Sequence, residues 1–240
     1  MTKQRWYEDL TATLAHDCVL IDEPLNLHTM TKMGGLADLY VTPLTEEETT
    51  FVVAYAHQNN VPLLLLGNGS NMVVRDGGVR GIVLNLQMLN RIEINGTRVL
   101  AEAGVDIIDV SKAAAKEKLT GLEFACGIPG SIGGAMAMNA GAYGGEIKDI
   151  IYQATVLTKE GVKLVLSKEE LELDYRKSVI TKQGYYVLSA EFELAQGEQL
   201  AIDAKIADLT HLRESKQPLE YPSAGSVFKR PPGYFAGKLI

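Results

Sequence analysis

GNGSN at 67–71 and GIPGSIGGAMAMNAGAYGG at 127–145 stand about sixty residues apart, and their reading decides the fold. The first follows VPLLLL at 61–66, a continuous apolar run that predicts a strand buried on both faces. Residues this small let backbone N–H groups approach a bulky anion, and those groups bind phosphate. Two such loops predict a large cofactor carrying a pyrophosphate, with Gly67, Asn68, Gly69, Ser70 and Asn71 on one side of it. On the other side, Pro129-Gly130-Ser131 predicts a helix start, with Ser131 as N-cap and Gly133 and Gly134 leaving the first turn bare. Asn139, Ala140 and Gly141 then bring small residues back to the same place. A close helix–strand crossing packed through Gly and Ala would use the same residues, and the two roles are compatible. A nicotinamide Rossmann site is excluded: Met72 stands where the third glycine of G-x-G-x-x-G belongs.

Bulk properties narrow the class. The chain has 240 residues, a net charge of −7 and a pI near 5.2, with scattered basic residues, which argues against nucleic acid. MTKQRWYEDL has no apolar core of a signal peptide, and no apolar run reaches the roughly 20 residues of a membrane span. A cytoplasmic monomer is expected. Cys18 and Cys126 lack metal or disulfide spacing, the histidines show no ligand pattern, and no metal is expected. Cys126 beside the second loop reads as pocket wall.

Periodicity sketches the elements. Trp6, Leu10, Leu14 and Cys18 recur every four residues and predict an N-terminal helix within 1–25. Thr45-Glu46-Glu47-Glu48 is a capping box opening a helix to about Gln58. That helix links strands at 38–42 and 63–66 in a β-α-β unit whose carboxyl end holds GNGSN. Strands are predicted at 81–86, 91–94, 98–103, 151–157, 162–166 and 185–194. Asn95-Gly96 signals a type I′ hairpin, Asp106 caps a helix to about Leu119, and a last helix spans about 198–213.

Five stretches in order carry a resemblance from about Asn26 to the end of the chain. They are MGGLADLYVTP from Met33, LLGNGSNMVVRDGGVRGIVLNL from Leu65, LEFACGIPGSIGGAMAMNAGAYGGEI from Leu122, DYRKS from Asp174 and YPSAGSVFKRP from Tyr221. In this order they resemble the UDP-N-acetylenolpyruvoylglucosamine reductases, flavoenzymes of peptidoglycan precursor synthesis, in their shorter type. The resemblance implies an α+β fold. Two subdomains of the PCMH/vanillyl-alcohol-oxidase type would grip non-covalent FAD over 26–196, split near 80. An incomplete α+β substrate-binding domain would begin at 197 and run to 240.

The family's activity follows as a further implication. NADPH reduces the flavin, which passes hydride to the enolpyruvyl double bond of the UDP-sugar. With no second dinucleotide fingerprint, NADPH is expected to share the substrate's cleft. Arg176 in DYRKS would stabilise the carboxylate as charge develops, and Ser226 in AGSVFKRP would protonate the carbanion. Tyr175, Lys229 and Arg230 would hold substrate, the two cations by pairing with its diphosphate. The chain ends at Ile240, inside what reads as the first turns of a helix. The resemblance then implies a truncated chain, without the family's later catalytic glutamate. The alternatives are an FAD-binding fragment without turnover, or another oxidase of the same fold.

Overall fold

Two sheets form in succession along the chain. The computed structural model describes residues 2–14, 16–229, 231, 233–234 and 236–239. The first sheet holds β1 (Val19–Pro24), β2 (Leu36–Val41), β3 (Leu63–Leu65) and β4 (Val79–Leu84), in the order β1-β2-β4-β3. β4 runs parallel to both neighbours, and β1 closes the other edge antiparallel to β2. Its helices are α1 (Lys3–Thr11) and α2 (Glu46–Gln58). Thr45 Oγ1 accepts from the Glu48 amide at 3.2 Å, while the Glu48 carboxylate accepts from Leu44 N, one residue before the box position.

Three expectations change here. The run at 61–66 is an edge strand: Leu63, Leu64 and Leu65 are only half-buried. β4 inserts between β2 and β3 and takes the central place, with Ile82 and Leu84 facing one core and Val83 the other. The segment 1–25 is not a helix alone. α1 ends at Thr11, and 19–24 pairs with β2 from Val19↔Val41 to Pro24↔Leu36. Position 80 lies inside β4, so the chain passes between the sheets at 85–91 rather than near 80.

The second half runs β5 (Ile92–Asn95), β6 (Arg98–Glu102), α3 (Ile107–Lys116), β7 (Leu119–Thr120), α4 (Ile132–Ala137), β8 (Gly141–Ala142), β9 (Gly145–Glu146) and α5 (Ile147–Ile150). It continues through β10 (Ile151–Leu157), β11 (Lys163–Ser167), α6 (Val179–Gln183), β12 (Tyr186–Glu193), β13 (Ala195–Gln196) and α7 (Gln199–Glu214). The main sheet is antiparallel in the order β11-β10-β12-β6-β5. The β5–β6 turn is centred on Gly96 and Thr97, with positive φ at Gly96 alone (62°). That is the pattern of a type II′ turn, not type I′. α4 lies across β6 and β12. A Cβ on Gly133 would stand 3.4 Å from the Cβ of Ala103, ordinary van der Waals contact, so the helix–strand crossing does not itself require a glycine there.

α7 docks beside α3 through Glu123, whose side chain is 2% exposed. Burial opposes its ionisation, yet hydrogen bonds from Thr120, its own amide, Gly121 and Lys205 outweigh that and hold the carboxyl below the usual range. A carboxylate depressed by folding contributes stability above its unfolded pKa of about 4.3, lost as pH falls through the folded value. Glu123→Gln should cost about 1–3 kcal/mol. It should also flatten the acid limb of a melting-temperature profile below about pH 4. An unchanged acid limb would remove Glu123 as the anchor. Cys126 turns its sulfur toward Ile206 O (4.0 Å) and Thr210 Oγ1 (3.9 Å) of α7. It therefore packs under that helix and is not the pocket wall expected of it. No helix among the described residues is long and apolar enough to cross a membrane.

Candidate cofactor cleft

Where the two sheets meet, a cavity of about 830 Å³ opens, lined by Gly67 and Asn68 from one side and Gly104 to Asp106 from the other. The backbone around it divides into spent and unspent donors. None of the amides at 67–71 donates to a partner among the described residues, and neither do those of Gly130 and Ser131. Gly67 to Ser70, Gly130 and Ser131 are buried or half-buried, where an N–H calls for a partner, and a run of such donors suits an anion.

The helix start is a different matter. Ile132 N donates to Val105 O (2.8 Å), Gly133 N to Ala103 O (2.9 Å), Gly134 N to Ser131 Oγ (3.4 Å) and Ala135 N to Ser131 O (2.8 Å). The sequence predicts bare amides in the first turn of α4; the link from β6 to α3 has used them. The amides left without a partner among the described residues are instead those of GNGSN and of the two residues just before α4.

Packing brings these stretches together. A Cβ on Gly67 would stand 2.6 Å from Ser131 Oγ, and one on Gly130 would stand 3.4 Å from Ser70 Oγ. A Cβ on Gly225 would lie 3.6 Å from Asn71 Oδ1, so the AGS segment reaches the same loop and leaves Ser226 exposed next to it. Pro129 precedes the junction and is half-buried. Gly69 is turned the other way: with φ +62°, its Cβ would meet His28 O at 2.4 Å.

Asn139, Ala140 and Gly141 sit at the far end of α4, away from the cavity wall. The Asn139 amide donates to Glu146 Oε2 (2.8 Å) and Asp174 O (3.3 Å) and accepts from Lys148 N (2.9 Å). It is a strut, with its hydrogen bonds already made to protein. It holds the turn 174–177, closed by Asp174 N to Lys177 O (3.1 Å) and Lys177 N to Asp174 O (2.9 Å). That turn forces Arg176 to φ 56°, with its guanidinium 5.7 Å from the Tyr175 ring centre. No hydrogen bond or ion pair among the described residues joins Arg176 to Ser226. Lys229 is exposed, and Arg230 lies outside the described residues.

Several lining residues escape a reading of the sequence. Asn85 is buried and donates to Gly67 O (3.3 Å), fixing the start of the loop, while accepting from Gln87 N (2.8 Å). His28 pairs with Glu23 (2.8 Å) and stacks on Tyr40 with ring centres 4.1 Å apart. Asp106 and Asp109 reach the cavity from the start of α3. A polar Asn between Leu84 and Leu86 at a strand's carboxyl end was the one available signal.

Residues 37–167 match the FAD binding domain family. The chain is 59% identical over 227 residues to the UDP-N-acetylenolpyruvoylglucosamine reductase of Exiguobacterium sibiricum, covering 95% of this chain and 75% of that protein. The crystal structure of the UDP-N-acetylenolpyruvylglucosamine reductase from Thermus caldophilus superposes with a TM-score of 0.79 at 32% identity, over 92% of this chain and 77% of that one. An alkyldihydroxyacetonephosphate synthase shares the fold at 19% identity, with a TM-score of 0.62 over 82% of this chain and 44% of that one. With that identity over most of both sequences, the chain belongs to the UDP-N-acetylenolpyruvoylglucosamine reductase family.

Proposed function

We propose that this chain binds FAD non-covalently in the cleft between its sheets and reduces UDP-N-acetylglucosamine enolpyruvate to UDP-N-acetylmuramate with NADPH, a step of peptidoglycan precursor synthesis. The observation that carries this is the set of unspent amides at 67–71 and at Gly130 and Ser131, two stretches packed against each other where Gly67 and Asn68 line the cavity. The residues present fit a pyrophosphate there, since the donors are backbone and the side chains around them are small. When bound, FAD supplies hydride transfer between NADPH and the enolpyruvyl carbon.

The protein's own residues do the rest. Arg176 offers a planar fork of donors to the substrate carboxylate as negative charge builds there. Ser226 Oγ holds the proton that the carbanion carbon must receive. Tyr175, Lys229 and Arg230 contribute ring and charge to the UDP-sugar, the cations at its diphosphate. On this reading 26–196 is the FAD-binding region and the substrate-binding part begins after Gln196, where α7 starts. NADPH and UDP-sugars are polyanions that do not cross a bilayer unaided, which supports a cytoplasmic site of action; we take the protein to act there as a monomer.

Arg176 offers a test in which stability and function move in opposite directions. A left-handed residue with a Cβ costs about 1–2 kcal/mol, so Arg176→Gly should raise the melting temperature. The same change should slow enolpyruvyl reduction at least 10²-fold, the order of effect of one charge-stabilising group. A variant that is stabler and still active would leave the turn as structure only. The activity is checked by NADPH consumption with and without the enolpyruvyl substrate. Consumption that ignores the substrate, with no UDP-N-acetylmuramate formed, would contradict the proposal.

A further inference from the structure

Asp106 is the N-cap of α3, with extended φ −65° and ψ 127°, yet its side chain makes no capping hydrogen bond. Its carboxylate instead accepts from Asn68 Nδ2, on the GNGSN loop across the cleft. The same residue pairs through its backbone with Ser131: Ile107 N donates to Gly130 O (2.9 Å) and Ile132 N to Val105 O (2.8 Å). Ser131 in turn fills the space against Gly67. Asp106 therefore touches both phosphate-facing stretches, one through its backbone partner and one through its side chain.

An N-cap aspartate ordinarily accepts from the second or third helical amide, and giving that up costs helix stability. A negative carboxylate beside an anion cradle is also unfavourable for the anion itself. Both costs make sense if the carboxylate fixes the loop. The amides of 67–71 have no partner among the described residues, and Gly67 and Asn68 line the cavity. Donors of this kind serve an anion best when their loop is held in a single conformation, since preorganisation removes the ordering cost from the binding step. Asn68, in the middle of the free stretch, is the handle.

We propose that Asp106 is a positioning residue: it gives up its helix cap to latch Asn68 across the cleft and so preorganises the phosphate-binding loop. The inference rests on the reading that FAD binds here. The latch stabilises the cradle before the cofactor arrives, so its loss is felt in affinity and in the rate of FAD release.

The experiment is FAD titration of the apoprotein by flavin fluorescence, with melting temperatures of the FAD-free protein measured beside it. Asp106→Ala should weaken FAD about tenfold, the effect of one hydrogen bond to a charged group. Asp106→Asn keeps the acceptor and should stay within about threefold of wild type. Asp106→Ser is the decisive variant. Serine caps α3 but is too short to reach Asn68, so the FAD-free protein should melt at or above wild type while FAD still binds about tenfold more weakly. Asn68→Ala combined with Asp106→Ala should lose no more than either alone. The latch is overturned if Asp106→Ser binds FAD like wild type, or if the losses at Asn68 and Asp106 add. Folded wild type that takes up no FAD would instead overturn the cofactor reading, and the latch with it.

Discussion

Ser226→Ala leaves the reaction of NADPH with the bound flavin nearly intact and slows the following step, reduction of the enolpyruvyl sugar, by roughly 10²–10⁴-fold. The asymmetry follows from where a proton is needed. Hydride taken from NADPH requires no proton delivered to carbon. The enolpyruvyl carbon that becomes a carbanion requires one, and a hydroxyl poised over it meets a base strong enough to deprotonate serine. A loss of that size is about 3–5 kcal/mol of barrier, more than the fit of one small side chain supplies. Ser226 follows Gly225, where a Cβ would lie 3.6 Å from Asn71 Oδ1 and 4.0 Å from Ser70 O, so the hydroxyl is carried on a segment next to the GNGSN loop. Rapid-mixing measurement of each half-reaction separates the outcomes. Equal slowing of both halves would mean that Ser226 holds the cleft together and donates no proton.

Gly69→Val empties the flavin site. A Cβ at this position would stand 2.4 Å from His28 O and 2.6 Å from Thr29 Cα, both backbone, and the φ of +62° already disfavours a side chain. Neither obstacle can be relieved by a rotamer change, so the loop 67–71 and the segment 28–29 must separate. The two costs together exceed about 3 kcal/mol. Thr29 and His28 line the cavity, so the separation spoils the cofactor site from behind. The protein should be isolated colourless, with the helical signal largely kept. Gly77→Ala, where nothing lies within 4 Å, should keep its flavin. Gly133→Ala meets only ordinary contact with Ala103 and should keep it too. Yellow Gly69→Val protein with normal affinity would refute this packing argument.

Glycine placement made much of the site legible, because the residues that carry it act through what they lack. Ser131 was readable as an N-cap, and its hydroxyl does accept from Gly134 N. GNGSN reads as a candidate cradle, and its amides make no hydrogen bond among the described residues. What could not be read is where a free donor has already been used. α4 begins with small residues, but Ala103 and Val105, in the link from β6 to α3, supply carbonyls to its first turn, a long-range pairing with no local trace in the sequence. The same holds for burial: the apolar runs at 61–66 and 82–84 look alike, and only the parallel crossover decides that β4 is central and β3 an edge. Asp106 looks like an ordinary cap until Asn68 is brought to it from 38 residues away. Cys126 reads as pocket wall from its place beside the second loop, but Ile206 of α7, 80 residues later, covers it.

The visible absorbance of the purified protein, followed without oxygen, tests the proposed activity most directly. Adding one equivalent of NADPH per flavin should abolish the oxidised-flavin band. Adding the enolpyruvyl UDP-sugar afterwards should restore it, with one equivalent of UDP-N-acetylmuramate formed per flavin. A band that NADPH leaves untouched, or one that stays bleached when the enolpyruvyl substrate is supplied, would contradict the assignment.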